Sequence, residues 1–306
     1  MTIAAPLPIE HRGRLVCDEP LAKHISWRTG GTAEYFFEPA DVDDLLHVLA
    51  QFQDRPIVWL GLGSNVLIRD GGIDGLVIST SKGLNVLHWH SENLLEVGCG
   101  LSCAKVAKES VAKGFTGAEF FAGIPGSVGG ALAMNAGAFG GETWDLVESA
   151  RVVNRRGETS EVLPGDYVTG YRHVGLPEDH WFISAVFRFS EKLFDDKSGQ
   201  QRIRELLNER AASQPTGVAS CGSVFKNPPD DHAGRLIEAA GLKGFSFGAC
   251  SVSEKHANFI VNQQGASATE IEKLIKHIQS TVLEQFGIFL EPEVRIIGKP
   301  VHEVGE

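Results

Sequence analysis

Residues 120–142 read FFAGIPGSVGGALAMNAGAFGGE, and this stretch decides the fold. Its core, GIPGSVGG at 123–130, places glycine at four of eight positions. Turns of this kind let backbone N–H groups converge on an anion, because no Cβ blocks the approach. A second such turn, GLGSN at 61–65, directly follows an apolar run that reads as a buried strand. Neither fits the common nucleotide motifs. A GxGxxG begun at Gly61 needs glycine where Val66 stands, and a Walker A motif begun at Gly126 needs Gly-Lys where Ala131 and Leu132 stand. A Rossmann domain and a P-loop are thereby set aside. Either turn alone could be a tight structural turn. Two of them, in consecutive α+β units, point to a dinucleotide pyrophosphate held between the units.

Working outward, the whole chain is glycine-rich: 35 of 306 residues, about 11% against a usual ~7%. A hydrophobic fraction of 42% and a charged fraction of 22% describe an ordinary protein with a full core. The net charge of −11 argues against a sequence-independent grip on nucleic acid, so anionic ligands must be held by local cations and amides. No run approaches the ~18–20 apolar residues of a membrane span. The start, MTIAAPLPIEHRGRLV, lacks an apolar stretch after a basic one, and the expectation is a cytoplasmic protein without membrane partners. The five cysteines (17, 99, 103, 221, 250) are scattered without a zinc pattern, and no HExxH is present. Reduced structural thiols and no metal are expected.

Three units follow from the pattern of elements: 20–85, 86–200 and 201–306. In the first, DVDDLLHVLAQF predicts a helix capped by Asp41, with Val42, Leu45, Leu46 and Leu49 on one face. Strands at PIVWL and GLVIS flank the 61–65 turn. The second opens with the strand LLEVGCG (94–100) and the helix SCAKVAKESVAKGF, and closes with a hairpin turning at Gly157 and the strand WFISAVFRF. After Pro215 the third ends in a helix with a Ser267–Glu270 capping box, an apolar stripe of Ile271, Leu274, Ile275, Ile278, Val282 and Phe286, and Gly287 to stop it. IFLEPEVRIIG is predicted as the last strand.

Six segments in order, TGG (29–31), LGLGSNVLI (60–68), FFAGIPGSVGGALAMNAGAFGGE (120–142), GYR (170–172), SCGSVFKNP (220–228) and LEPEVRIIG (290–298), carry a resemblance to a known family. Together they are similar to the UDP-N-acetylenolpyruvoylglucosamine reductases, the MurB-type flavoenzymes of bacterial peptidoglycan synthesis. The match runs from about residue 20 to 300. It implies an α+β architecture: a two-part FAD-binding module of the vanillyl-alcohol-oxidase (PCMH) type, spanning 20–85 and 86–200, followed by a UDP-sugar-binding domain at 201–306. By that resemblance the FAD contacts fall at Gly61, Gly63, Ser64, Asn65, Gly123, Ile124, Pro125, Gly126, Ser127, Gly130, Asn135 and Gly137. TGGT at 29–32 offers no histidine for covalent attachment, so non-covalent FAD is implied, with NADPH as co-substrate and UDP-N-acetylglucosamine enolpyruvate as substrate. The short stretch after Arg172 resembles the subgroup without an inserted lid tyrosine. A monomer is expected.

The catalytic set implied by the family is Arg172, Ser223 and Glu293. Alone, an arginine beside a tyrosine reads as a surface ion pair; the family places Arg172 over the enolpyruvyl carboxylate, where a guanidinium fork suits both oxygens. Alone, Ser223 reads as a turn hydroxyl. GxSxG is absent, which disfavours a hydrolase, and the family makes Ser223 the proton donor to C2. In an extended strand Glu293 and Arg295 would share one face, with Pro292 marking an edge or bend. Lys226, Asn227, Arg295 and His256 are the weaker candidates for the UDP-sugar. Two other readings remain: another non-covalent FAD oxidase of this fold, or a non-catalytic UDP-sugar or flavin-binding protein.

Overall fold

In a computed structural model, which describes residues 9–189, 192, 196–263 and 265–301, Asp41 caps α1 (Val42–Gln51) as expected, accepting from the Asp44 N–H at 2.9 Å. Leu45, Val48 and Leu49 are buried on its inner face, against Tyr35, Phe37, Leu76 and Ile78. Asp44 itself turns inward. Burial pushes its carboxyl pKa up, but N–H donors from Ala40, Arg12 and Gly13 at 2.7–2.9 Å more than offset this, and the net direction is down.

The described chain divides into two compact units. The first takes the segments up to Cys17, Tyr35–Leu62 and Gly75–Arg210. Its larger sheet runs in the order Thr159–Val162, Val147–Asn154, His180–Arg188, Leu94–Gly98 and Leu87–Trp89, antiparallel throughout. The hairpin between the first two strands turns at Gly157, at φ +80°. α2 (Cys103–Ala112) and α3 (Val128–Met134) contribute Val106, Val111, Val128 and Leu132 to the core under this sheet, with Phe121, Phe182 and Phe187. A smaller sheet has the order Arg14–Pro20, Thr32–Glu38, Ile73–Ser79 and Ile57–Leu60, the last two parallel. Arg155 stitches this unit together. Its guanidinium donates to the Arg55 carbonyl (2.9 Å), the Gln53 carbonyl (3.0 Å) and Asp179 (3.0 Å).

The second unit takes Asp18–Glu34, Gly63–Asp74 and the chain from Ala211 onward; α4 (Asp196–Ser213) leads into it and α5 (Ala233–Ala239) lies inside it. α6 (Ala268–Phe286) fulfils its sequence pattern: the Ser267–Glu270 capping box is present and Gly287 ends the helix at φ +69°. Ile271, Leu274, Ile275, Ile278 and Val282 are buried, whereas Phe286 at the last turn is exposed. Each fully buried side chain of this kind contributes about 1.5–3 kcal/mol. Two early segments complete this core. Trp27 is buried and donates from Nε1 to the Ile260 carbonyl (2.8 Å), and Leu67 is buried in the same cluster. Asp70 accepts from the Ala268 and Thr269 N–H groups (2.9 and 2.8 Å), satisfying donors in the first turn of α6.

The last strand differs from expectation. Only Arg295–Ile297 is regular, pairing in parallel with Val66–Ile68. Just before it, the Glu293 and Val294 N–H groups both point at the Val224 carbonyl (2.8 and 3.3 Å). Consecutive donors aimed at one acceptor bend the chain as a bulge does, yet burial follows the expected faces: Val294 is buried and Ile296 packs on the same core, while Glu293 is half-buried and Arg295 exposed. Among the described residues no helix is long and apolar enough to cross a membrane.

Candidate active site

The first unit supplies the glycine loop and the arginine. Loop 123–130 is pinned to the end of the Leu94–Gly98 strand: Cys103 N–H donates to the Gly126 carbonyl, Val128 N–H to Leu101 and Gly129 N–H to Cys99, all at 2.8–3.0 Å. Ser127 is buried and caps α3, its Oγ accepting from the Gly130 N–H at 3.4 Å. Gly61 lies against the same serine; a Cβ there would fall 2.2 Å from Ser127 Oγ. A Cβ at this position would force the Ser127 hydroxyl out of its place. Gly123 is covered by the Phe139 ring, while Ile124 and Gly126 are half-buried and Pro125 and Gly130 exposed. Gly61 thus abuts the Ser127 hydroxyl because it carries no side chain of its own, and glycine-rich backbone of this kind suits a pyrophosphate bound through amides.

Arg172 sits on a two-residue turn between Gly170 and His173, which pair with each other. Its φ is +52°, a left-handed conformation that costs a non-glycine residue on the order of 1 kcal/mol. The half-buried side chain donates from Nη2 to the Gly137 carbonyl (3.0 Å), and its Cζ lies 5.2 Å from the centre of the Tyr171 ring. Asn135, buried at the C-terminus of α3, donates to the Gly170 carbonyl (3.2 Å) and to Glu142 (2.8 Å). Six other described non-glycine residues, Arg28 among them, also have positive φ, so Arg172 is singled out by the bonds that hold its turn and its guanidinium together.

The second unit brings Ser223 and Glu293 onto neighbouring segments. Val224 accepts from Glu293 N–H (2.8 Å), Phe225 bridges Pro292, and Lys226 N–H donates to the Glu291 carbonyl (2.9 Å). Gly222, at φ +72°, provides the bend before the serine. The same place receives the end of the early glycine turn. Asn65 donates from Nδ2 to the Glu293 carbonyl (3.1 Å), and Arg295 N–H donates to the Asn65 carbonyl (3.1 Å). Gly63, at φ +62°, packs so closely on the His24 carbonyl that a Cβ would lie 2.2 Å from it, and Ser64 is half-buried beside it. Cys221 donates its thiol to Val66 O (3.4 Å); burial pushes its pKa up to about 12, so it stays protonated and structural.

The weaker candidates are tied into the protein as well. Lys226 Nζ pairs with Glu291 at 2.6 Å, and Asn227 Oδ1 accepts from the Ala233 N–H at the start of α5 (3.1 Å). His256 accepts at Nδ1 from Asn258 N–H (3.2 Å) against the Phe259 ring; burial, then the nearby Lys243, pull its pKa down. Two residues escaped the sequence reading. Asn258, buried, grips the Phe225 backbone through both ends of its amide (3.0 and 2.8 Å), and Glu142 receives Asn135. Neither position carries a pattern that periodicity or spacing could detect.

Residues 33–162 match the FAD binding domain family, and 214–297 match the UDP-N-acetylenolpyruvoylglucosamine reductase C-terminal domain. The paired glycine loops and this domain make the protein a FAD-dependent oxidoreductase. The chain is 51% identical over 297 residues, 97% of each chain, to UDP-N-acetylenolpyruvoylglucosamine reductase of Methylococcus capsulatus, and 50% identical over 291 residues, 94% of each, to that of Legionella pneumophila. The crystal structure of the reductase from Thermus caldophilus superposes with a TM-score of 0.79 at 31% identity, over 94% of this chain and 99% of that one. The chain belongs to the UDP-N-acetylenolpyruvoylglucosamine reductase family. A 6-hydroxy-D-nicotine oxidase from Arthrobacter nicotinovorans, 13% identical with a TM-score of 0.55 over 92% of this chain, shares the fold.

Proposed function

We propose that the chain reduces UDP-N-acetylglucosamine enolpyruvate to UDP-N-acetylmuramate, with Arg172, Ser223 and Glu293 as its catalytic residues. The observation that carries the reading is Arg172 held in a left-handed turn, its guanidinium anchored on Gly137 beside the glycine loop. Segments 20–85 and 86–200 hold FAD, with the pyrophosphate against the 61–65 and 123–130 loops, and 201–306 receives the UDP-sugar. FAD, when bound and reduced by NADPH, would supply the hydride needed at C3 of the enolpyruvyl group. Arg172 pairs with both carboxylate oxygens and stays charged as the enolate builds up there. Ser223 gives its hydroxyl proton to C2, so that the double bond becomes single with one hydride and one proton added. Glu293, on the adjoining segment, serves the stabilisation or protonation of the enolate. Lys226, Asn227, Arg295 and His256 line the approach of the diphosphate and sugar. The protein works in the cytoplasm as a monomer.

The test separates the two half-reactions by stopped-flow absorbance. In Ser223→Ala, NADPH should bleach the flavin at close to the wild-type rate. Reoxidation by UDP-N-acetylglucosamine enolpyruvate should slow by the ~10²–10⁴ expected for a lost general acid. Equal slowing of both halves would make Ser223 part of the flavin site, and an unimpaired second half would hand protonation to Glu293.

A further inference from the structure

We propose that Asn135 is a positioning residue for Arg172: its amide fastens the end of the helix growing out of the glycine loop to the turn that presents the guanidinium. The inference rests on the reading that Arg172 binds the substrate carboxylate. Asn135 is 3% exposed and sits at the C-cap of α3 with φ +45°. A left-handed C-cap favours glycine, so the conformation alone does not call for asparagine. The side chain does. Nδ2 donates to the Gly170 carbonyl (3.2 Å) and Glu142 (2.8 Å), and Oδ1 accepts from Trp144 N–H (3.1 Å). Both ends of the amide are committed to protein groups, so we read the side chain as fastening protein to protein, in place of the FAD contact that the family resemblance implied at this residue.

What it fastens is the turn. Gly170 carries the carbonyl that Asn135 holds, and Tyr171 and Arg172 follow it directly. The head of Arg172 is anchored by the same short stretch of chain, since Nη2 bonds the carbonyl of Gly137, itself paired with Glu142. The backbone and the guanidinium of the arginine are therefore fixed from residues 135–142. α3 connects that stretch to the loop at Ser127 over seven residues, about 10 Å at 1.5 Å per residue. That helix is the direct covalent link between the glycine loop and the stretch that holds Arg172.

Asn135→Gly keeps the left-handed backbone and removes the amide; Asn135→Asp keeps the shape and removes the Nδ2 donor. In either flavin-loaded variant, bleaching by NADPH and the flavin spectrum should stay within about twofold of wild type. Reoxidation by the enolpyruvyl sugar should slow about 10–10²-fold, the cost of a misplaced catalytic group. Calorimetric affinity for UDP-N-acetylmuramate, whose carboxylate Arg172 would hold, should weaken alongside. In an Arg172→Lys background the Asn135→Gly change should add less than about twofold, because its effect runs through the arginine. A full additive loss there, or flavin lost together with the bleaching rate, overturns the proposal and makes Asn135 a structural or flavin-site residue. Arg172→Lys with undiminished reoxidation would instead sink the carboxylate reading, and this proposal with it.

Discussion

At helix α6 the local sequence and the local structure agree; at the turn Gly170–His173 they do not. α6 begins on a capping box, buries one apolar stripe and stops on a left-handed glycine. The turn places arginine where glycine or asparagine would be comfortable, and leaves Tyr171 half exposed beside it. The helix obeys the local rules of its own sequence. The turn is stable only through its surroundings, the Asn135 amide and the Gly137 carbonyl. Scaffold positions satisfy every level at once, while a site breaks a local rule for the sake of its chemistry.

Three substitutions probe that contrast. Arg172→Lys should lower kcat by about 10²–10³-fold with a nearly unchanged melting temperature, since a point charge cannot replace the fork. A large drop in melting temperature instead would mean that the arginine is scaffold after all. Leu274→Ala, in the middle of the α6 stripe, should cost about 2–5 kcal/mol of stability through its cavity, measured by urea unfolding. The half-reaction rates of the surviving folded fraction should hold; rates that fall with stability would show that α6 shapes the site. Ser267→Ala should cost only about 1 kcal/mol, and an unfolding midpoint indistinguishable from wild type would mean Asp70 alone satisfies the helix start.

The same contrast governs what could be read in advance. α1 and α6 were legible because caps and periodicity act within a few residues, and Asp41, Ser267 and Gly287 stand where those rules put them. The two glycine turns were legible as a pair, although nothing in them discloses that Gly61 rests on Ser127. Glu293 was found by motif, whereas the bend made by two N–H groups converging on Val224 leaves no trace in the local sequence. Asn258, Glu142 and the fastening by Asn135 depend on partners far along the chain, and no local pattern records a long-range amide bond.

The path of the chain between the units carries a consequence for biosynthesis. Trp27 and Leu67 belong to a core whose other members lie beyond Ala211, and Asp70 waits for the amides of Ala268 and Thr269. On a ribosome adding roughly 5–20 residues per second, the stretch from Gly75 to Arg210 delays their partners by on the order of ten seconds. For that interval an indole and a leucine bound for a dry interior have nowhere to go. A fragment beginning near residue 214 would face the opposite lack: helix α6 made, its first-turn amides without Asp70, and strand Arg295–Ile297 without Val66–Ile68 beside it. The segment that family comparison marks off at 214–297 thus lacks the early residues that complete its compact unit.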